Sequence, residues 1–107
     1  MGALGVFVPT SVTTQNAGTV ETYALHQNYP NPFNPSTTIE FEIPARTNVR
    51  LSVYDVLGRE VAVLFSGVHE AGRYSQVWNA ADAASGMYFF RLQADRFTAV
   101  RKMLLVK

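Results

Sequence analysis

The side chains that could do chemistry are few and scattered. His26 and His69 lie in separate segments, and neither has a second histidine at the i+4 spacing of a helical zinc pair. Ser11, Ser36, Ser52, Ser66, Ser75 and Ser85 all fall outside a Gly-x-Ser-x-Gly nucleophile elbow. Glu40 and Glu42 would share one face of a strand, about 7 Å apart by strand rise. Paired carboxylates can hydrolyse glycosides. Here they alternate with Ile39, Phe41 and Ile43, so a solvated strand face accounts for them more simply. Acidic loop positions are too few for an EF-hand, and nothing supports a calcium site built from Asn and carbonyl oxygens. The expectation is a protein that is not an enzyme, with no catalytic, cofactor-binding or metal-binding residue and no cofactor.

Aromatic side chains offer a different chemistry. Tyr23, Tyr29, Phe33, Tyr54, Tyr74, Trp78, Tyr88, Phe89, Phe90 and Phe97 could include a platform for stacking sugars. They could equally fill the core of a small sandwich. Trp78 is the single tryptophan and sits in an alternating strand pattern, which predicts burial. Phe89 is out of phase with Tyr88, Phe90 and Leu92, and is the best candidate for an exposed aromatic and a docking patch.

These residues must be positioned by strands. The stretch Leu25 to Thr38 holds Pro30, Pro32 and Pro35, each of which fixes φ, removes a donor and pushes its predecessor out of the helical region. It reads as a stiff, ordered crossing, with Leu25, Tyr29 and Phe33 as anchors, and Asn31, Asn34 and Ser36 bonding the backbone left unpaired. Thr38–Ile43 alternates cleanly, with Ile39, Phe41 and Ile43 on one face. Val49–Asp55 alternates again, and a turn follows at Gly58. A third strand spans 59–65, with Val61, Val63 and Phe65 in one phase, before a loop over 66–72. Residues 73–79 form a strand of ambiguous phase, and 80–85 a small polar connection. Strands over 87–94 and 97–106 flank a tight turn at Asp95-Arg96. Short strands with regularly spaced turns predict an all-β fold, an antiparallel immunoglobulin-like β-sandwich of about seven short strands.

Bulk properties narrow the class. The 107 residues suit one domain. A net charge of +1 suggests no nucleic-acid partner. Beyond Asp95 there is no acidic residue, while Arg96, Arg101, Lys102 and Lys107 all lie there. That tail is either a recognition element or an edge strand charged against unwanted pairing. There is no cysteine, which excludes disulfides and thiolate sites. No run reaches the roughly 20 apolar residues of a membrane-spanning segment. Ala3 to Val8 is a poor signal peptide, and Val6 breaks the myristoylation pattern. Met1-Gly2 is compatible with an expression start, and the chain with the end fragment of a longer protein. Residues 1–22 read as a mobile, protease-sensitive linker or a remnant of upstream cargo, and 23–107 as the domain.

Five ordered blocks carry a resemblance. Leu25-x-Gln27-Asn28-Tyr29-Pro30-Asn31-Pro32-Phe33-Asn34-Pro35-x-Thr37-x-Ile39-x-Phe41 opens them, and Val53-Tyr54-Asp55-x-x-Gly58-Arg59-x-Val61 follows. Then come Ala71-Gly72-x-Tyr74 with Trp78, Ser85-Gly86-Met87-Tyr88-Phe89, and Lys102-Met103-Leu104-Leu105-Val106-Lys107. In this order they resemble the type A C-terminal sorting domain of the type IX secretion system of Bacteroidetes. Met87 replaces the family's usual Val or Ile, and Tyr74 stands where His is common.

The resemblance implies a C-terminal secretion signal, recognised by the type IX outer-membrane translocon, that exports an upstream cargo to the cell surface or outside. It implies sortase-like surface-attachment machinery as a second partner. Gly86, Tyr88, Lys102, Met103, Leu104, Leu105, Val106 and Lys107 are the implied recognition residues. Tyr29, Pro30, Asn31, Pro32, Phe33, Gly58 and Trp78 are the implied structural motif. Gly86 is expected to give Tyr88 room to point into the core. The last strand could meet its partner by edge pairing or as a docked strip, or pair with its own copy as a dimer. Deleting Lys102 to Lys107 is expected to stop export while the remaining sandwich partly folds. The alternatives are a carbohydrate-binding module or a structural immunoglobulin-like spacer of a secreted enzyme.

Overall fold

The computed structural model describes residues 20–107. Seven strands follow in order: β1 Ala24–Leu25, β2 Ser36–Ile43, β3 Thr47–Tyr54, β4 Glu60–His69, β5 Gly72–Asn79, β6 Gly86–Ala94 and β7 Phe97–Leu105. They form a three-stranded sheet, β1-β2-β5, and a four-stranded sheet, β4-β3-β6-β7, with every strand pair antiparallel. The predicted all-β sandwich is what forms. The predicted linker or cargo remnant lies, as far as residue 19, outside the described residues.

Period-2 alternation dictates which side chains the two sheets enclose. Ile39, Phe41 and Ile43 of β2 face Val49, Leu51 and Val53 of β3 and Phe90, Leu92 and Ala94 of β6, all buried. Trp78 resolves the ambiguous phase of β5: it joins the core, while Val77 points outward.

Strand β4 departs from the sequence reading. Its pattern predicts a strand ending at Phe65 and a loop from Ser66. Instead, pairing with β3 continues through Gly67, opposite Val49, to His69, opposite Thr47. Backbone pairing along β3 holds those residues in the sheet, and Gly67 supplies a positive φ of 115° within it. Two register shifts, at Leu51/Ser52 and Val53/Tyr54, break the alternation. Phe65 therefore packs on the core while Val61 and Val63 point outward, and Ala62 and Leu64 take the inward places.

The proline stretch crosses from one sheet to the other. At its start the Tyr29 and Thr38 backbones exchange hydrogen bonds of 3.0 and 2.9 Å beside β2. At its far end Phe33 forms a parallel bridge to Leu105 of β7. The Phe33 amide donates to the Leu104 carbonyl, and the Val106 amide donates to the Phe33 carbonyl, each at 3.0 Å. Leu25 and Phe33 are buried anchors, as predicted, but the Tyr29 ring is 81% exposed. The anchors do not share one face, because the prolines keep the stretch from running as a regular strand whose every fourth residue returns to the same side. Tyr29 holds by its backbone alone. The buried residue beside it is Asn28, whose amide donates to Thr37 Oγ1 (2.9 Å) and to the Pro30 carbonyl (3.1 Å). Thr37 also donates to that carbonyl at 2.8 Å. Asn28 and Thr37 thus satisfy the backbone there, the part expected of Asn34 and Ser36.

Candidate functional site

Four of the five sequence blocks meet at one end of the sandwich. Register places Gly86 opposite Leu105 and Tyr88 opposite Met103. It places Thr37 opposite Trp78, and Tyr54 opposite Phe89. The Trp78 indole lies between Phe33, at 5.7 Å, and Tyr88, at 5.3 Å in a T-shaped contact. Trp78 is therefore core and cannot serve as a sugar-stacking platform. The Tyr88 hydroxyl donates to the Ala84 carbonyl at 2.7 Å, pinning the connection between β5 and β6. Val61, Trp78, Asp82 and Tyr88 are among the residues lining an open cleft of about 370 Å³ at this end. The remaining block is divided: its Trp78 lies in this cluster, while Gly72, paired with Ile43, and Tyr74, stacked on Phe41 at 5.4 Å, sit at the opposite end.

Gly86 is required by its backbone. Its φ is +147°, which side-chain-bearing residues rarely adopt, and a Cβ built on it would meet nothing within 4 Å. The expected reason, room for Tyr88, is replaced by conformation. Gly58 has a φ of +82° in the turn joining β3 to β4. There Asp55 Oδ1 accepts from the amides of Leu57 (2.9 Å) and Arg59 (3.0 Å), and Oδ2 accepts from the Arg59 guanidinium (2.9 Å). The Arg59 amide above all holds the Asp55 carboxyl below its ordinary value; burial opposes it, and the Arg59 guanidinium and the Leu57 amide add to the lowering. Beside this turn Arg50 donates to both oxygens of Glu60, at 2.8 and 2.9 Å. That hydrogen bonding, with the attraction of opposite charges, raises the Arg50 pKa and lowers that of Glu60.

The tail splits by period two. Met103 and Leu105 are buried core residues, each 1% exposed, whereas Lys102, Leu104, Val106 and Lys107 face out. Its outer edge is already occupied. Gln27 Nε2 donates to the Lys102 carbonyl at 2.8 Å, and the Leu104 amide donates to Asn31 Oδ1 at 3.0 Å, beside the Phe33 bridge. Further back, Arg101 Nε donates to the Leu25 carbonyl at 2.6 Å, and Tyr23 stacks on Phe97 at 4.9 Å. Lys107 is tied by its amide to Ser85 Oγ (3.1 Å) and by its ammonium to the Ala81 carbonyl. The contributions of Gln27 and Asn28 escaped the sequence reading. Their only signal was a pair of amides placed just ahead of donor-poor prolines.

Other candidates are dispersed. His26 Nε2 contacts Glu42 Oε2 at 2.8 Å on the outside of the three-stranded sheet, while the His69 ring lies tilted against Phe65, 4.1 Å between centres. Among the described residues no three His, Cys, Asp or Glu side chains gather where they could hold a metal ion. No helix of the described residues is long and apolar enough to cross a membrane.

The fold and this convergence define a small immunoglobulin-like sandwich domain whose motif residues gather around its last strand. Residues 27–107 match the family model described as the secretion system C-terminal sorting domain, and the chain belongs to that family. Such a domain is the C-terminal signal of type IX secretion, which takes its bearer across the outer membrane to the cell surface or outside. Among solved structures the chain is similar to PorZ, an essential surface component of the type IX secretion system of Porphyromonas gingivalis. The identity is 21% and the TM-score 0.50, over 79% of this chain and 11% of that one, a likeness of fold. The chain thus spans about a tenth of that protein's length. No curated protein matches the chain.

Proposed function

We propose that the type IX outer-membrane machinery reads this signal as a folded surface, docking on the outward side chains of the last strand. The observation that carries this reading is the occupied edge of β7. Backbone and amide groups of Gln27, Asn31 and Phe33 already take the hydrogen-bonding positions from Lys102 to Val106. Edge pairing by a partner would first have to displace them. Docking needs no such step and leaves Lys102, Leu104, Val106 and Lys107 as the readable set. Gly86, Tyr88, Met103 and Leu105 act from beneath by shaping that strip. Pairing with a second copy would have to use the outer edge of β4 or β5.

The domain works by recognition and carries out no catalysis itself. Once its bearer is outside, sortase-like machinery cleaves ahead of the sandwich and attaches the new end to the surface. The test is retention of the purified chain on the detergent-solubilised type IX outer-membrane complex, beside a glycan array. Retention on the complex with a blank array is expected. Binding to polysaccharide with no retention on the complex would contradict the reading.

A further inference from the structure

A two-layer sandwich normally turns polar side chains to solvent on both outer faces. The three-stranded sheet largely does so, with Glu40, Glu42, Arg73 and Ser75 outward, and Val77 with the Tyr29 ring flanking Thr38. The four-stranded sheet does so only toward one end, where Ser66, Arg50, Gln93 and Thr98 form a polar row. Its register builds two neighbouring rows across the outer face. One runs Val63–Ser52–Arg91–Val100, and the other Tyr54–Phe89–Lys102. Met87 and Leu104, paired with each other, extend the patch toward the chain end. Val63, Val100, Met87 and Leu104 are all exposed large apolar side chains, and Phe89 is half-buried.

The centre of the patch is pre-arranged. The Arg91 guanidinium lies over the Tyr54 ring, 4.8 Å from its centroid, and donates to the Tyr54 hydroxyl. Such stacking holds a cation in one orientation. Arg91 Nε is buried without an acceptor among the described residues. Tyr, Phe, Met and Arg are the residues that concentrate in protein interfaces, while Lys favours their rims. Charge on the face is one-sided. The carboxylate of Glu60 is held by both bonds from Arg50, which leaves Arg91 and Lys102 without a carboxylate partner among the described residues.

From this we infer that the outer face of the four-stranded sheet, centred on the Tyr54–Arg91 stack and Phe89, docks a protein surface that is apolar at its centre and carries carboxylates opposite Arg91 and Lys102. This rests on the reading of the chain as a type IX signal, and makes the docked strip the margin of a broader face.

The test is export of a reporter fused ahead of the full chain in a type IX host, with thermal melting of each purified fusion. Val100→Asp and Lys102→Glu should each cut export about tenfold or more, because each sets a negative charge against the partner's carboxylates. Val77→Asp, at a valine at least as exposed on the other sheet, should export normally. If Val100→Asp fails to fold, Lys102→Glu decides, since that side chain is exposed. Failure of the unsubstituted fusion to be exported would overturn the type IX reading and this inference with it. Normal export of folded Lys102→Glu and Val100→Asp, or equal losses from Val77→Asp, would overturn the inference alone.

Discussion

Replacing Phe33 by Ala tests how the proline stretch is held. Phe33 is 2% exposed, touches Trp78 at 5.7 Å between ring centres, and forms the bridge to Leu105. Truncating a buried phenylalanine to alanine costs about 3–5 kcal/mol, lost transfer energy plus the cavity left behind. The bridge itself is backbone and survives the substitution chemically, so the loss should sit near the middle of that range, about 4 kcal/mol. For a domain of this size that corresponds to a fall in Tm of roughly 15–30 °C. It is a large share of the roughly 5–15 kcal/mol that typically separates folded from unfolded. Tyr29→Ala is the internal control. Its ring is 81% exposed, and its contribution is through backbone bonds that alanine keeps, so the change should stay within about 0.5 kcal/mol. Urea titration of both variants, read by tryptophan fluorescence, measures the difference, with Trp78 as the probe. Equal losses at both positions, or a loss below about 1 kcal/mol at Phe33, would refute the assignment of Phe33 as the anchor.

Gly86→Ala should cost about 1–3 kcal/mol through its φ of +147° alone, since no neighbour would touch the new methyl; an unchanged urea midpoint would contradict this. Tyr88→Phe should cost about 1 kcal/mol by removing the hydrogen bond to the Ala84 carbonyl, with amide exchange at Ala83 and Ala84 rising in parallel. Asp55 gives a pH signature. Its folded pKa lies below the unfolded value, so its stabilisation is complete above the ordinary carboxylate range and disappears as pH falls through the depressed folded pKa. Asp55→Asn should therefore flatten the acid limb of a stability-against-pH curve, and an identical limb in both proteins would count against the turn geometry.

Much of the fold was legible because alternation is a local signal. Ile39, Phe41 and Ile43, then Val49, Leu51 and Val53, needed only their own spacing to be placed in the core. Strand β4 was read less well, because its phase is set by the two register shifts against β3, which no local pattern carries. The blocks of the candidate site were visible as motifs, but their meeting at one end depends on strand order. The role of the proline stretch shows this most clearly. Chemistry alone indicated a stiff crossing, yet its partner is the strand 70 residues further along the chain, through Asn31 and Leu104 (|i−j| = 73). That contact also changes what truncation means. Removing Lys102 to Lys107 takes away Met103 and Leu105 from the core and the partner of Phe33, so it should destabilise the sandwich as well as delete the strip. Substitutions at outward positions separate recognition from folding where truncation cannot.

The central claim is that this chain suffices to send what precedes it out of the cell. The most direct measurement is the location of a reporter joined ahead of the full chain, in a bacterium with the type IX translocon and in the same strain lacking it. Reporter on the surface or in the medium of the first, and in the periplasm of the second, is the predicted result. Periplasmic reporter in both strains would contradict the account.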